Sequence, residues 1–545
     1  MKASTIALVV VTFPFLLCAV VFVGLQLIGL VSSIFYGISC AISHVFGRKK
    51  NAKPVVRHED APGKKAKPER GVPSGIVWTE EYDRAMAKLL APVDEEPVVF
   101  VTGPGGVGKS LLMREMEKKW RTLHPCDRIA KLAPTGVAAA HIDGRTIHSF
   151  FLFNPEELAP QSKVAEKWKA YQRGRELSLA QIKKIEEARN IGLILVDEIS
   201  MLKPDLLDAM DDAMRILKGT KRPFGGCKTV FFGDLGQLPP VYKEEWERAW
   251  YLKNYGMECP YFFEARVIKS NPRFSPETWP VHLTKVFRQD DARFVKALQH
   301  LRCWEWKDDD VALFDSRYSP DNQSIPPEKR TTLFCTNAAV DQLNADCLAA
   351  LSGTKREYEM QISGTARYFK DNRFKYQKIL VLAIGARVMI LKNNLPDYHN
   401  GTVGIVVDLN DNFVSVRDAK TNKLFTIQRD VVEFRDPASS TTDEERRKGG
   451  KIIGSYAQFP LRLAWAVTIH KSQGQTYDEA YVDVSGNFSV GHVYTAFSRV
   501  RSLDGLHLLS PEWLPQMAVP SGLKPWLVPA NSAKMAYPPC QQPPK

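Results

Sequence analysis

"PVVFVTGPGGVGKSLLMREMEKKW", residues Pro97–Trp120, decides the fold. Its first residues, "PVVFV", are apolar and predict a short buried strand, whereas "SLLMREMEKKW" spaces its apolar residues as an amphipathic helix does. The glycine-rich turn between them fits the pattern G-x-x-x-x-G-K-[ST]. A strand, a turn and a helix in this order predict an α/β fold with a parallel sheet.

The glycine-rich turn also predicts a phosphate site. Without Cβ atoms, its backbone N–H groups can point inward around phosphates, and the following helix adds its positive N-terminal end. Lys109 is expected to reach the β- and γ-phosphates, and Ser110 to offer its hydroxyl to Mg²⁺. The predicted nucleotide-binding residues of the turn are Gly103, Gly105, Gly106, Val107, Gly108, Lys109 and Ser110.

A pair of acids supplies the second half of a nucleotide site. The stretch "NIGLILVDEISM" is an apolar strand that ends in Asp197 and Glu198. Asp197 is expected to hold Mg²⁺ through its water shell, and Glu198 to polarise the attacking water. Paired acids at a strand end can also be a solvated terminus, but their position after a phosphate loop favours catalysis. The two stretches together predict a Mg²⁺-dependent nucleoside triphosphate hydrolase.

Composition sets weaker bounds. The 545 residues suffice for several domains, and the net charge of +13 invites a nucleic-acid partner. However, the run from Arg48 to Arg70 holds 9 Lys or Arg and 3 Asp or Glu, and Lys2 adds one more charge, so residues 71–545 carry only about +6 (13 − 6 − 1). Nucleic-acid binding must therefore be argued from motifs. The 9 cysteines form no C-x-x-C pair, which predicts neither a zinc site nor a disulfide framework and suits a reducing compartment.

The N-terminus is unusually apolar. From Ala3 to Gly47 there is no charged residue, and residues 6–42 are long enough to span a bilayer. We therefore expect an apolar helix within residues 1–47 that anchors the chain in a membrane. The basic run that follows would keep the catalytic part on the cytosolic or matrix side. An atypical targeting sequence and a wrongly assigned start codon are the alternatives.

Patterning along the chain predicts its domains. Alternating strands and helices indicate two α/β domains, while alternating apolar residues with turn signals indicate a small β-rich insert. Pro, Gly and charge mark disordered connections. The predicted parts are a basic linker (48–75), a first domain (76–285), a second domain (286–395 and 450–510), its β insert with a loop (396–449) and a Pro-rich tail (511–545).

Three further polar residues are candidates for the nucleotide site. "TVFFGDLGQLPPV" is a strand followed by Gln237, whose carboxamide would sense the γ-phosphate. Arg288 and Arg499 lie far from the phosphate loop in sequence, in or beside the second domain. An arginine delivered across a domain cleft stabilises charge on the transferring phosphoryl group and couples closure to hydrolysis.

These motifs, taken in order, resemble a known family. The set is "GPGGVGKS", "APTGVAAA", "TIHSFF", "VDEISM", "GDLGQLPPV", "VFRQ", "IHKSQGQT" and "AFSRVRSLDGL". It is similar to superfamily 1 helicases of the 5′-to-3′ branch, and most of all to the Pif-type family, relatives of RecD. The resemblance covers about residues 77–509. It implies two RecA-like P-loop NTPase domains, with an SH3-like β insert in the second.

The resemblance also implies an activity and partners. The chain would hydrolyse ATP with Mg²⁺, move 5′-to-3′ along single-stranded DNA and unwind duplexes such as 5′-tailed ones. It would act in genome maintenance (DNA repair, recombination or telomere maintenance) in a nucleus or mitochondrion, and a monomer is expected. Two alternatives stay open: a DNA-stimulated translocase without net unwinding, and a membrane-tethered nucleic-acid-binding ATP switch.

Matching positions assign roles within that family. Lys109, Ser110, Asp197, Glu198, Gln237, Arg288 and Arg499 would form the ATP site. The DNA path would be lined by Thr135, Gly136, Thr146, His148 and Phe150 in the first domain and by His470, Lys471, Ser472 and Gln473 in the second, with Phe150 stacking on a base. The charged region 151–190 sits where the family carries its strand-separating wedge.

One position departs from the family. Its members place a glutamine that reads the adenine before the phosphate loop, whereas "WTEEYD" has Tyr82 there. We expect Tyr82 to stack on the base without reading its edge, which would relax the preference for ATP over GTP.

Overall fold

The strand before the glycine-rich turn lies in a six-stranded sheet whose neighbouring strands are all parallel. In chain order the strands are β1 (Val98–Thr102), β2 (Arg128–Ala133), β3 (Arg145–Thr146), β4 (Ile191–Val196), β5 (Lys228–Gly233) and β6 (Pro280–His282). Their spatial order is β3-β2-β4-β5-β1-β6. All five residues of β1 are buried, as expected for a parallel strand covered on both faces.

The helices of this first part accompany the sheet. They are α1 (Glu80–Leu90), α2 (Lys109–Leu123), α3 (Gly136–His141), α4 (Ile147–Phe151), α5 (Pro204–Lys218), α6 (Glu245–Tyr255) and α7 (Arg266–Lys269). Helix α2 begins directly after Gly108, whose φ of 80° lies in the left-handed region that glycine adopts without strain. The turn between β1 and α2 therefore has the backbone that the sequence predicts.

A second parallel sheet follows later in the chain. Its strands are β7 (Thr332–Phe334), β18 (Ala466–Thr468), β19 (Ala480–Asp483) and β20 (Leu506–Leu508), in the spatial order β18-β7-β19-β20. The accompanying helices are α8 (Ala292–Cys303), α9 (Asp308–Asp315), α10 (Pro320–Ser324), α11 (Asn337–Ala350), α12 (His492–Phe497) and α13 (Lys524–Leu527). Two parallel sheets with helices confirm the predicted α/β class.

Antiparallel strands occupy the chain between β7 and β18. A five-stranded sheet has the order β14-β13-β12-β11-β17, a three-stranded sheet the order β15-β16-β9, and β10 pairs with β8. These strands are β8 (Arg356–Glu359), β9 (Gln361–Gly364), β10 (Ile379–Leu382), β11 (Arg387–Ile390), β12 (Val403–Leu409), β13 (Phe413–Asp418), β14 (Leu424–Gln428), β15 (Asp430–Asp436), β16 (Lys451–Gln458) and β17 (Leu461–Leu463). They start before and end after the predicted insert, 396–449, and the SH3-like assignment stays a prediction.

The computed structural model describes residues 78–528, except 152, 154–187, 243, 328–329, 369–373, 375, 393, 395–396, 399–401, 420, 437–450 and 521. The predicted apolar segment (1–47) and linker (48–75), most of the predicted wedge (151–190) and the end of the tail lie outside the described residues. Within the described ranges, no helix has both the length and the apolar character that a membrane crossing requires.

A buried lysine at the start of β5 binds the segments that lie beside this end of the first sheet. The Lys228 ammonium donates to the carbonyls of Lys88 (3.0 Å), Ala91 (3.1 Å) and Glu96 (2.6 Å). The residue is fully shielded from solvent, and its three donors match three acceptors. The end of α1 and the turn before β1 are therefore tied to β5, which fixes the frame on which the glycine-rich turn is built.

Replacing this lysine tests the frame. We expect Lys228→Met to lower the free energy of unfolding by about 2 kcal/mol, because three carbonyls lose a charged donor. Chemical denaturation followed by circular dichroism measures the loss, and Lys524→Ala, at an exposed position, is the control. A Lys228→Met variant as stable as the control would contradict the assignment.

Candidate functional site

The glycine-rich turn forms a cradle whose lysine faces inward. The Lys109 ammonium donates to the carbonyls of Gly103 (2.7 Å) and Pro104 (2.9 Å) within the same turn. Burial lowers the pKa of Lys109, although Asp234 and Glu198 oppose that shift. Ser110, the next residue, exposes its side chain at the start of α2. The turn thus offers an ammonium, and the residue after it an exposed hydroxyl.

The predicted acid pair lies at the end of β4. Asp197 is 8% exposed and its carboxylate accepts the N–H of Glu198 at 3.0 Å. Burial raises the pKa of both carboxyls, and Lys109 lowers it in each case. Glu198 adopts φ 51°, a left-handed conformation uncommon outside glycine, which is typical of residues held for function.

A third acid, Asp234, directly follows β5. The Asp234 carboxylate accepts Arg302 Nε at 2.7 Å and the Gln237 amide at 3.1 Å. Gln237 is 4% exposed, and its side-chain oxygen finds no hydrogen-bond partner among the described residues. The carboxamide is therefore anchored on one side, with a polar atom left to meet a further group.

Two arginines from beyond the first sheet reach the turn. A Cβ placed on Gly105 would lie 3.1 Å from both Arg288 Nη1 and Arg499 Nη2. Arg499 is 1% exposed, and its guanidinium donates to the carbonyl of Thr495 (3.0 Å) and to the Ser498 hydroxyl (2.9 Å). Burial lowers the pKa of both arginines. The structure thus brings Arg288 and Arg499 together at the glycine-rich turn, as predicted.

A glutamine that the sequence analysis missed fixes this arrangement. Gln289 donates to the carbonyls of Ser498 (3.3 Å) and Val500 (2.8 Å), on either side of Arg499. Arg288 donates to the same Ser498 carbonyl at 2.8 Å. Arg288 and Gln289 therefore hold the backbone on either side of Arg499 in place. Only the adjacency of Gln289 to Arg288 could have signalled this role.

The collected donors fit a nucleoside triphosphate. Lys109, Arg288 and Arg499 supply cations around a turn of backbone amides, which is the donor set that phosphate oxygens require. The Ser110 hydroxyl and the Asp197 carboxylate are oxygen ligands of the kind Mg²⁺ prefers, and they follow the turn and β4 respectively. The site can therefore bind phosphates and place a carboxylate, Glu198, beside them.

The predicted DNA-facing residues of the first part lie around α3 and α4. Thr135 caps α3 by accepting the N–H of Ala138 at 3.2 Å, and Gly136 is exposed. Thr146 is half-buried and accepts the N–H of Ser149 at 3.3 Å. His148 is half-buried, and burial lowers its pKa.

Phe150 does not present a stacking surface, contrary to the prediction. It is 7% exposed and packs edge-to-face on Phe151, with ring centroids 4.9 Å apart. The guanidinium carbon of Arg145 lies 5.1 Å from the centre of its ring. Phe150 belongs to the hydrophobic core of the first part, because α4 turns this side chain inward.

The predicted DNA-facing residues of the second part lie just after β18. His470 and Lys471 are half-buried, and the Lys471 ammonium donates to the Asn337 side chain at 3.3 Å. Ser472 is fully buried and donates its hydroxyl to the Ile469 carbonyl at 2.8 Å, so its side chain faces inward rather than toward a ligand. Gln473 is 6% exposed.

The two sets of DNA-facing residues approach each other. A Cβ placed on Gly474 would overlap the imidazole of His141, at the end of α3. The absence of a side chain at Gly474 therefore allows the segment after β18 to contact α3 closely. The segments that carry the two sets of predicted DNA-facing residues therefore lie in contact.

Comparison with known proteins identifies the family to which this chain belongs. Residues 80–253 match the model of a family described as PIF1-like helicase. An ATP-dependent DNA helicase Pif1 from Bdellovibrio bacteriovorus is 30% identical over 457 residues, which cover 82% of this chain and 92% of that protein. The chain belongs to the PIF1-like helicase family. The human ATP-dependent DNA helicase PIF1 is 31% identical over 435 residues, covering 79% of this chain and 61% of that protein.

Solved structures of PIF1-like helicases agree with the fold. Bacteroides Pif1 bound to single-stranded DNA is 32% identical, with a TM-score of 0.61 over 82% of this chain and 95% of that one. Pif1 helicase from Candida albicans is 27% identical, with a TM-score of 0.64 over 81% and 97%. The chain spans between 54% and 59% of the length of the fungal relatives from Emericella nidulans, Candida albicans and Saccharomyces cerevisiae.

Tyr82, where PIF1-like helicases place a glutamine, is not the stacking residue that we predicted. It is 2% exposed, and its hydroxyl donates to the Val107 carbonyl at 2.6 Å. A Cβ on Gly108 would overlap that hydroxyl. Burial raises the pKa of Tyr82 to about 12, so the hydroxyl stays a donor. Tyr82 supports the glycine-rich turn from inside the fold, and a base cannot reach its ring.

Phe287 lies next to Tyr82 and, unlike Tyr82, has an exposed aromatic ring. It is 37% exposed, its ring centroid lies 6.1 Å from that of Tyr82, and its N–H donates to the Gly106 carbonyl at 2.9 Å. The Glu81 carboxylate accepts the N–H groups of Thr284 (3.1 Å) and Lys285 (3.4 Å), which holds this segment in place. We missed both residues, although an aromatic directly before Arg288 was a usable signal.

Removing the ring tests whether Phe287, in place of Tyr82, stacks on the base of the nucleotide. We expect Phe287→Ala to raise the KM for ATP about tenfold, because base–aromatic stacking contributes about 1–3 kcal/mol. The KM for GTP should rise by a similar factor, since a stacked ring contacts the face of a base and not its edge. Steady-state hydrolysis with each nucleotide measures both constants, and Phe287→Tyr, which keeps the ring, is the control. An unchanged KM in Phe287→Ala would remove Phe287 from the base site.

Proposed function

We propose that this chain is an ATP-dependent DNA helicase that moves 5′-to-3′ along single-stranded DNA and unwinds duplexes. The observation that carries the proposal is the meeting of Arg288 and Arg499 at Gly105 of the glycine-rich turn. A protein that bound a nucleotide without hydrolysing it would not need arginines from a separate part of the chain. The proposal agrees with the names of the relatives, which are ATP-dependent DNA helicases.

In this proposal Glu198 acts as the base that orients the attacking water. Burial raises its pKa, which makes the carboxylate a better proton acceptor, while Lys109 and Arg499 oppose that rise. Ser110 and Asp197 would hold Mg²⁺, which neutralises phosphate charge when bound. Lys109 would contact the β- and γ-phosphates, and Gln237 would report on the γ-phosphate through its unpartnered oxygen.

The arginines would convert hydrolysis into movement. Arg288 and Arg499 would stabilise the charge of the transferring phosphoryl group, so the two parts of the chain are drawn together while ATP is bound. Release of phosphate removes that attraction and relaxes the cleft. Because the segment after β18 and the end of α3 contact each other, opening and closing would alternate their grip on a DNA strand.

DNA contact would use backbone amides, hydroxyls and imidazoles more than base recognition. Gly136 at the start of α3 is exposed, and His148, His470 and Lys471 are half-buried. Such groups hold phosphates without reading sequence. We extend the proposal to genome maintenance in a nucleus or mitochondrion on the strength of the family resemblance. The SH3-like insert and a monomeric state belong to the same proposal.

Two other functions compete with this one. A DNA-stimulated translocase without net unwinding would use the same ATP site, and a membrane-tethered ATP switch would bind nucleic acid without needing Glu198 or the arginines. Strand displacement on duplexes with 5′ or 3′ tails, with and without ATP, separates all three. Displacement of the 5′-tailed duplex alone, with ATP, supports a 5′-to-3′ helicase.

Removing the base tests the catalytic site. We expect Glu198→Gln to lower ATP hydrolysis and strand displacement at least about 100-fold, the scale of a general base, while nucleotide binding persists. Lys109→Ala should lose binding as well. Glu277→Gln makes the same chemical change at an exposed position and serves as the control. Wild-type unwinding by Glu198→Gln would show that the site is wrongly assigned.

Removing a cation tests the DNA path. We expect Lys471→Ala to weaken single-stranded DNA binding and to reduce the slope of log affinity against log salt by about 0.7, the value for one phosphate contact. Fluorescence anisotropy over a salt series measures both. Lys524→Ala removes the same charge elsewhere and should leave the slope unchanged. Equal slopes in the two variants would place Lys471 off the DNA.

A further inference from the structure

The hydroxyl of Tyr494 joins three elements of the nucleotide site. Tyr494 lies on α12, is 2% exposed, and accepts the N–H of Gly105 at 3.0 Å. The same hydroxyl donates to the Asp234 carboxylate at 2.8 Å. One oxygen atom therefore connects the glycine-rich turn, the residue after β5 and the helix that precedes Arg499.

The direction of these hydrogen bonds is fixed by charge. Burial alone would raise the pKa of Asp234, but Arg302 and Lys109 hold it below its ordinary value, so Asp234 is a carboxylate and can only accept. The tyrosine must then donate its single proton to Asp234, which leaves its lone pairs for the Gly105 N–H. The hydroxyl has no freedom to rotate away without breaking one of these bonds.

The same helix holds the second arginine. Arg499 Nε donates to the carbonyl of Thr495, the neighbour of Tyr494 on α12. The guanidinium of Arg499 lies beside Gly105, the residue whose N–H the tyrosine accepts. A shift of Tyr494 relative to Gly105 would therefore shift Arg499 by a similar amount, and catalysis tolerates little displacement of a charged group.

We infer that Tyr494 is a positioning residue for ATP hydrolysis, whose hydroxyl sets the place of Arg499 against the glycine-rich turn through Gly105 and Asp234. This inference rests on the proposed function, because it assumes that Arg499 stabilises the transferring phosphoryl group. Tyr494 itself is not a catalytic residue, since it acts through Arg499.

Tyr494→Phe removes the hydroxyl and keeps the ring. We expect kcat for DNA-stimulated ATP hydrolysis to fall about tenfold or more, because a bond to a charged partner is lost and the arginine is no longer held in place. The KM for ATP should change less than about twofold, since the interaction matters most in the transition state. The affinity for single-stranded DNA should stay at the wild-type value.

A double-mutant cycle separates positioning from a general structural effect. If Tyr494 acts through Arg499, adding Tyr494→Phe to the Arg499→Ala variant should cause no further fall in kcat. Tyr358→Phe is the matched control, because that buried tyrosine also donates its hydroxyl to a partner, the Asn410 carbonyl, but in the antiparallel region. The control should keep the wild-type kcat. Thermal unfolding measures the stability that is lost with the two hydrogen bonds of the Tyr494 hydroxyl and with the one of Tyr358.

Two results would overturn the inference: an unchanged kcat in Tyr494→Phe, whatever its KM, or an equal fall in kcat with and without Arg499. If Tyr494→Phe does not fold, Asp234→Asn tests the same bond from its other partner, with the same dependence on Arg499 expected. If Arg499→Ala and Glu198→Gln both hydrolyse ATP normally, the proposed function fails. If they are inactive and Tyr494→Phe is normal, only this inference fails.

Discussion

Charged side chains, buried or half-buried, surround one turn of backbone, and most of the site depends on how their charges are balanced. The cations are Lys109, Arg288, Arg302 and Arg499, and the acids are Asp197, Glu198 and Asp234. Burying a charge costs several kcal/mol unless a partner of opposite sign lies close to it. Each acid therefore faces at least one cation. The charges are still not fully compensated, since burial lowers the pKa of Lys109, Arg288 and Arg499 and raises that of Asp197 and Glu198.

This balance explains why distant parts of the chain must meet. The glycine-rich turn and the acids follow strands of the first sheet, whereas Arg499 follows α12, whose residues pack in the core of the second. Arg302 donates to one oxygen of the Asp234 carboxylate, and Tyr494 donates to the other. The sheets supply rigid ends for these groups, because parallel strands present their carboxyl ends at a common edge.

The sequence predicted the parts of this site that are local. The phosphate turn, the acid pair and both arginines could be recognised because each lies in a short motif with its own chemistry. Tyr82 and Phe150 were placed wrongly, because whether an aromatic ring is exposed depends on neighbours far away in sequence. Tyr82 is buried because Gly108 leaves room for its hydroxyl, and Phe150 because α4 turns it into the core. Glu81 and Gln289 were missed since both act by binding backbone of other segments, which no spacing reveals.

Gly474 has a consequence for the size of the proposed movement. Its α-carbon carries no side chain at the point where the segment after β18 meets His141 at the end of α3. In the proposed cycle, a residue with a side chain here would have to displace His141 or keep the two segments further apart. The closest approach of these two segments in the proposed cycle therefore depends on the absence of a side chain at position 474.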